Sequence, residues 1–350
     1  MPAHAPGPPA PLHVLIASFL EPEYAAQIGM VDGVRLTYVP DLLPTPRYLC
    51  DHVGRPLRRG PEDEARWRSL LAEAEVLFDV DYTNLAELRS LIPRVRWIQA
   101  TSTGIGQLLI RTGLLDAPIV FTTARGIHAK PLADFVVMAI LWFAKDGFRM
   151  AQAQAARRWE RYCGRDVRGE TVGIVGFGSI GRETARLCRA LGLGVIATKR
   201  TLGPADDPAP ADRLVPLDRV GELLAASDYV VLAVPHTPQT AALIDEGALR
   251  TMKPGAILIN VARGGVVDEG ALAAALREGR LGGAALDVLA AEPPAPDNPL
   301  WAMPNVLISP HSASTVASEN ARLTELFIDN LERFLRGAPL RNVFQPDRLY

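Results

Sequence analysis

TVGIVGFGSIGRETARLCRALG, residues 171–192, changes its hydrophobic pattern in mid-course. Its first five residues form a short β-branched and apolar run, the mark of a buried strand, and RETARLCRALG reads as a helix. Between them lies Gly176-Phe177-Gly178-Ser179-Ile180-Gly181, a G-x-G-x-x-G in the strand–turn–helix setting that makes it a dinucleotide fingerprint. Gly176 allows the tight turn, Gly178 lets the backbone approach a pyrophosphate, and Gly181 lets helix and strand pack closely. Free N–H groups and the macrodipole at the helix start favour the phosphates. The flanking elements favour this reading over glycines that merely shape a turn.

Outward from that loop, Gly194–Thr198, Tyr229–Ala233, Ala256–Asn260, Gly283–Leu286 and Val306–Ser309 are further strand-like runs separated by helix-length segments. That spacing predicts a parallel, doubly wound sheet. Upstream, Leu12–Phe19, Glu75–Asp79 and Arg96–Ala100 read as strands of a separate α/β series, with Asp41–Glu64, rich in Pro, Arg and Asp, as an irregular surface excursion. From Lys130, PLADFVVMAILWFAKDGFRMAQAQ predicts one long apolar helix, and Ser314–Gly337 has helical periodicity.

A chain of 350 residues, 48% of them hydrophobic, can bury two cores. Net charge −2 and a pI near 6.3 provide no electrostatic footprint for nucleic acid or an anionic membrane surface. Cys50, Cys163 and Cys188 show no metal-site spacing and read as structural free thiols of a reducing compartment. No metal is expected. The opening MPAHAPGPPAPL reads as a Pro/Ala tail rather than a signal peptide, and no apolar run reaches membrane-spanning length, so a cytoplasmic protein is expected.

Where an NAD site usually carries an acid for the ribose 2′-OH, the chain reads Ala197-Thr198-Lys199-Arg200. Two cations there suit a 2′-phosphate, so NADP(H) is the expected cofactor; the alternative is that Lys199 and Arg200 are solvated charges and NAD(H) serves as well.

Hydride transfer requires a cation to orient the substrate and a group that moves a proton to its oxygen. Arg263 follows the strand 256–260 within Asn260-Val261-Ala262-Arg263-Gly264-Gly265, Glu292 follows the strand 283–286, and His311 follows the strand 306–309. In an open α/β sheet that edge binds ligands. A carboxylate beside an imidazole favours imidazolium and fixes the ring. Singly, each residue could be an ordinary loop charge.

GIVGFGSIG, NVARGGVVDEGAL, ALDVLAAEPP and ISPHSAS occur together, in an order and at a spacing that resemble the D-isomer specific 2-hydroxyacid dehydrogenase family from about Leu12 to Asn342. The resemblance implies two Rossmann-like domains, each with a mainly parallel sheet, and an active site in the cleft between them. It implies a flexible tail at 1–11, a discontinuous substrate domain at 12–123 and 313–350, and a dinucleotide-binding domain at 124–312. Arg263 matches the substrate-orienting arginine, Glu292 the histidine-pairing glutamate and His311 the acid/base. Asp287 matches an aspartate near the nicotinamide carboxamide. Val261 and Ala262 at the strand end, and Val234, Pro235 and Thr240 in VPHTPQT, fall on the cofactor side; His236 reads as a surface loop histidine. The loop Thr101–Gly106 matches a carboxylate-binding loop, with Ser102, Thr103 and Gly104 as substrate contacts; by its own pattern it is equally a simple turn. A homodimer through the cofactor domain is also implied, with the helix near Asp134–Ala144 and Trp159 as an arm, although that helix could equally be core.

Lys199 replaces a common acid, Asp134 a frequent glutamate, Leu289 a frequent aromatic, and Ser314 stands where glycine often follows the histidine. The expected function is reduction of a small 2-oxo acid of the glyoxylate or hydroxypyruvate kind to its D-2-hydroxy acid. The competing readings are a dinucleotide-sensing, corepressor-like interaction protein and a phosphoglycerate- or phosphite-type dehydrogenase.

Overall fold

The computed structural model describes residues 10–203 and 206–347. Its first five strands are β1 (Leu12–Ile16), β2 (Val34–Thr37), β3 (Val76–Phe78), β4 (Trp97–Gln99) and β5 (Val120–Thr122). They form an all-parallel sheet in the order β2-β1-β3-β4-β5. The next seven are β6 (Thr171–Val175), β7 (Gly194–Lys199), β8 (Arg213–Pro216), β9 (Tyr229–Leu232), β10 (Ile257–Asn260), β11 (Gly283–Leu286) and β12 (Val306–Ile308). They form a second parallel sheet, β12-β11-β10-β9-β6-β7-β8. The α/β class expected from the sequence holds. Strand order reverses between β6 and β9, and ligands bind outside the carboxyl ends of strands at such a switch point.

The chain divides into two compact units, one comprising the described residues up to Ile127 with those from Thr315 on, the other His128–Ser314. In the first unit the C-terminal helix Glu319–Leu335 returns to cover the five-stranded sheet. Its Phe327 ring packs 5.2 Å from Phe78 and 5.1 Å from Trp97. Asn330 donates to Gln99 Oε1, which also accepts from Thr122 Oγ1, so burial and polar matching fix the same docking. In the second unit the helix Ala129–Ala144 packs on β10 and the helix Ser179–Ala190, burying Val136, Ala139 and Ile140.

Three expectations need correction. The long helix from Lys130 breaks after Ala144: Asp146 is left-handed (φ 55°), and a second helix, Gly147–Ala155, starts where any Cβ on Gly147 would lie 2.1 Å from the Trp142 ring. The 41–64 excursion is irregular but not merely superficial, since Leu42, Leu43, Cys50, Asp51 and His52 are buried. It also ends early, because Pro61 and three acids open the helix Pro61–Glu73. Of the three free thiols, Cys50 and Cys188 are packed, the latter pushed up to about 12 by burial, whereas Cys163 is exposed. Of the tail at 1–11, all but Ala10 and Pro11 lie outside the described residues. No helix among the described residues is long and apolar enough to cross a membrane.

Candidate active site

The glycine loop shows why three positions carry no side chain. Gly176 is left-handed (φ 104°), and a Cβ there would lie 2.5 Å from the Ala233 carbonyl oxygen, where the loop after β9 passes. At Gly181 a Cβ would come within 2.1 Å of the Gly176 carbonyl oxygen, so the helix could not start so close to β6. At Gly178 nothing lies within 4 Å of the added carbon: the space there is open, with room for a group that approaches from outside. Ser179 and Ile180 begin the helix Ser179–Ala190, whose free N–H groups face an arriving anion. These features fit a dinucleotide pyrophosphate. Phe177 is buried in the core beneath the Arg182 guanidinium, 4.4 Å from its ring, so only its backbone is available to a cofactor.

The flanking loops have structural duties of their own. Val234 packs beside Gly176. The Thr240 hydroxyl donates to the Pro235 carbonyl (2.6 Å) and accepts from Thr237 N–H (2.8 Å), which makes it a brace of the turn. His236 lies against Gly265, where a Cβ would be 2.9 Å from its Nε2. Lys199, the last residue of β7, donates to Asp206. The end of β7 therefore does meet an acid, one brought back from seven residues downstream.

Arg263, Glu292 and His311 come together at the ends of β10, β11 and β12. Asn260, closing β10, accepts from Ala262 N–H (3.0 Å) and donates to the Arg263 carbonyl (3.1 Å), folding the turn through the buried Val261 and Ala262. Any Cβ on Gly264 would sit 1.9 Å from the Leu289 carbonyl oxygen, so this glycine lets the Arg263 turn touch the loop that carries Glu292. Glu292 Oε1 accepts from Leu289 N–H (3.1 Å), and Oε2 lies 2.7 Å from His311 Nδ1. Burial pushes the Glu292 carboxyl up, but the His311 hydrogen bond and charge, the Leu289 N–H and the Arg263 charge outweigh it and hold it below its usual range. Burial pulls the Arg263 guanidinium down, against the opposing charges of Glu292 and Asp287.

Asp287 is buried, and its Oδ1 accepts from Ser309 Oγ (2.7 Å) and from the N–H groups of Ser312 and Ala313 (both 2.9 Å). His311 N–H donates to the Asp287 carbonyl (2.9 Å). Asp287 thus builds the histidine loop, and Asn260 the arginine turn. Asp287 therefore does more than the cofactor contact its motif implies, and the sequence signals Asn260 only as an amide side chain at a strand end. With Nδ1 turned to Glu292, His311 keeps Nε2 for a substrate oxygen beside a cation that can orient a carboxylate, an arrangement suited to proton transfer.

Ser102, Thr103 and Gly104 belong to the first unit, in the loop between β4 and the helix Gly106–Arg111. Thr101 anchors that loop by donating to Asp79 Oδ2 (3.0 Å), and the Ser102 carbonyl accepts from Ala124 N–H (3.1 Å).

Residues 137–313 match the family model described as "D-isomer specific 2-hydroxyacid dehydrogenase, NAD binding domain". The chain is 35% identical over 277 residues to an (S)-sulfolactate dehydrogenase of Chromohalobacter salexigens, covering 78% of this chain and 89% of that protein. It is 43% identical over 261 residues to a glyoxylate reductase of Thermococcus onnurineus, covering 72% and 77%. Among solved structures, a D-isomer specific 2-hydroxyacid dehydrogenase of Xanthobacter autotrophicus Py2, in complex with NADPH and MES, superposes with a TM-score of 0.77 at 27% identity, covering 97% of this chain and all of that one.

Proposed function

The chain belongs to the D-isomer specific 2-hydroxyacid dehydrogenase family, and from that premise we propose that it reduces a small 2-oxo acid of the glyoxylate or hydroxypyruvate type to the D-2-hydroxy acid, with NADPH preferred over NADH. It is an oxidoreductase by family. The observation that carries the reduction of a carbonyl is the His311–Glu292 pair beside Arg263.

A bound nicotinamide supplies the hydride. The residues of the chain do the rest. Arg263 offers its guanidinium to the substrate's carboxylate and carbonyl oxygens, favouring the form in which charge has moved onto the carbonyl oxygen. His311 gives that oxygen a proton from Nε2, while Glu292 on Nδ1 fixes the orientation of the ring. The N–H groups of Ser102, Thr103 and Gly104 are proposed as carboxylate donors. Gly176–Gly181 hold the pyrophosphate, with Val234, Pro235, Thr240, Val261, Ala262 and Asp287 framing the rest of the cofactor. Lys199 and Arg200 meet the 2′-phosphate, and the NADPH-bound structure among the relatives supports that choice.

We also propose a homodimer through the arm that carries Trp159, which is 98% exposed, with Met150 and Tyr162 exposed nearby. An indole so bare is better covered than solvated. Sedimentation of wild-type protein and Trp159→Glu tests this: a dimer lost in the variant supports it, and an unchanged mass overturns it.

The deciding experiment is the initial rate of NADPH and, separately, NADH oxidation with glyoxylate, hydroxypyruvate, pyruvate and phenylpyruvate. Faster turnover with NADPH on one of the first two supports the reading. No turnover on any of the four, with the cofactor bound, overturns it.

A further inference from the structure

We propose that Asp206 is a specificity-determining residue, a built-in counter-ion seated on Lys199 that a cofactor's 2′-phosphate must displace. The proposal rests on the reading that Lys199 and Arg200 meet the adenosine ribose. The end of β7 is tied to the glycine turn, because Gly176 N–H donates to Thr198 Oγ1 (3.0 Å), so the next residue, Lys199, stands beside the dinucleotide loop. Its ammonium donates to Asp206 Oδ1, and Asp206 Oδ2 accepts from Gly203 N–H (2.8 Å). The carboxylate is therefore held on the lysine by two partners. The Lys199 hydrogen bond, then the Gly203 N–H, and beyond them the charges of Lys199 and Arg182 keep the carboxyl below its usual range. Arg182 reaches this corner from the first turns of the helix Ser179–Ala190 and is anchored on the Ala209 carbonyl (2.9 Å).

A 2′-phosphate arriving here finds cations and one carboxylate already placed on the best of them. Two anions on a single ammonium repel one another, so the carboxylate must give way before the phosphate gains the full contact. A 2′-OH makes no such demand. Asp206 thus narrows the preference that Lys199 and Arg200 would set alone, and lets the site accept either cofactor to a degree the cations do not suggest. The Lys199 and Asp206 side chains retain 39% and 22% of their surface exposed, so the exchange costs a modest factor and does not bar the phosphate.

Calorimetric titration with 2′,5′-ADP and with 5′-AMP isolates this end of the cofactor and needs no turnover. Asp206→Asn, and Asp206→Ser as a second variant, should bind 2′,5′-ADP about three- to tenfold tighter than wild type and 5′-AMP within about twofold of it. Lys199→Gln should lose most of the preference for 2′,5′-ADP. If Lys199→Gln lowers that preference but both Asp206 variants leave it unchanged, Asp206 is not the counter-ion and the cofactor reading stands. If Lys199→Gln changes nothing, the phosphate does not meet Lys199, and both readings fall.

Discussion

His311 presents its Nδ1 atom 2.7 Å from Oε2 of Glu292, from a backbone held in the left-handed region at φ 53°. A histidine adopts that conformation at some cost unless its surroundings insist on it. Here they do. The residue is clamped by its N–H to the Asp287 carbonyl, and the next two N–H groups are held by the Asp287 carboxylate. The ring direction is thus set by a buried aspartate just past the neighbouring strand, β11, and only then confirmed by Glu292.

The first prediction follows from that division of labour. His311→Gln should lower kcat about 10²- to 10⁴-fold, the range of a lost general acid, with NADPH affinity by fluorescence titration nearly unchanged. Retained turnover would remove the residue from the proton step. Glu292 is held below its usual range, so the ionised carboxylate persists as pH falls through the ordinary carboxylate range and is lost only below it. In Glu292→Gln that ionised partner becomes a neutral amide and the ring loses its fixed acceptor, so kcat should fall about tenfold or more with cofactor affinity unchanged. An unchanged kcat would refute the coupling.

A second prediction separates two glycines of one motif. Gly178→Ala adds a carbon to open space at an extended backbone position, so the melting temperature should stay within about 2 °C of wild type. The same methyl intrudes where the pyrophosphate is proposed to lie, and cofactor affinity should fall about tenfold or more. Gly181→Ala meets the Gly176 carbonyl at 2.1 Å and should yield little folded protein. Normal cofactor binding by Gly178→Ala would sink the proposed placement of the phosphates.

The contrast between these glycines also marks what sequence can and cannot tell. β6 and β9 to β11 are legible because they are short apolar runs, buried along most of their length. β2, β5 and β8 escape notice: β2 is nowhere fully buried, β5 has only three residues with Val120 exposed, and β8 carries Arg213 and Pro216 at the sheet edge. Arg263, Glu292 and His311 stand just past strand ends, so order along the chain already brings them to one edge. Asp206 is different. Its carboxylate reaches Lys199 across a loop without periodicity, and no local pattern announces the pairing.

The third prediction concerns Asp287. Replacing it with Ala would leave the Ser312 and Ala313 N–H groups and the Ser309 hydroxyl without their shared acceptor, a loss of about 1–3 kcal/mol. Because those donors fix the histidine loop, kcat should fall with stability, while Asp287→Asn, which keeps one acceptor oxygen, should lose less of both. Thermal melts and steady-state rates on the two variants check this. Equal effects from Ala and Asn would mean that the acceptor is not what matters.

A fourth prediction lies in the first unit, at Asp79, which is 1% exposed and left-handed at φ 64°. Burial, the largest influence, raises its carboxyl above the usual value; the His52 charge, the Val80 N–H and the hydroxyls of Thr101 and Ser18 only partly oppose it. The folded chain therefore binds a proton that the unfolded chain has already released, in the window between the ordinary carboxylate value and the raised one. Through that window this residue's contribution to stability falls as pH rises, and it stays low above it. Asn is the informative replacement, since it tolerates left-handed backbone and keeps an acceptor for Thr101 without carrying charge. Asp79→Asn should raise the melting temperature at pH 7 by about 2–4 °C, as for a gain of about 1 kcal/mol, with the gain shrinking as pH is lowered through the carboxylate range. A variant less stable at pH 7 than at pH 4, relative to wild type at each, would show that the ionised form is the one the fold prefers.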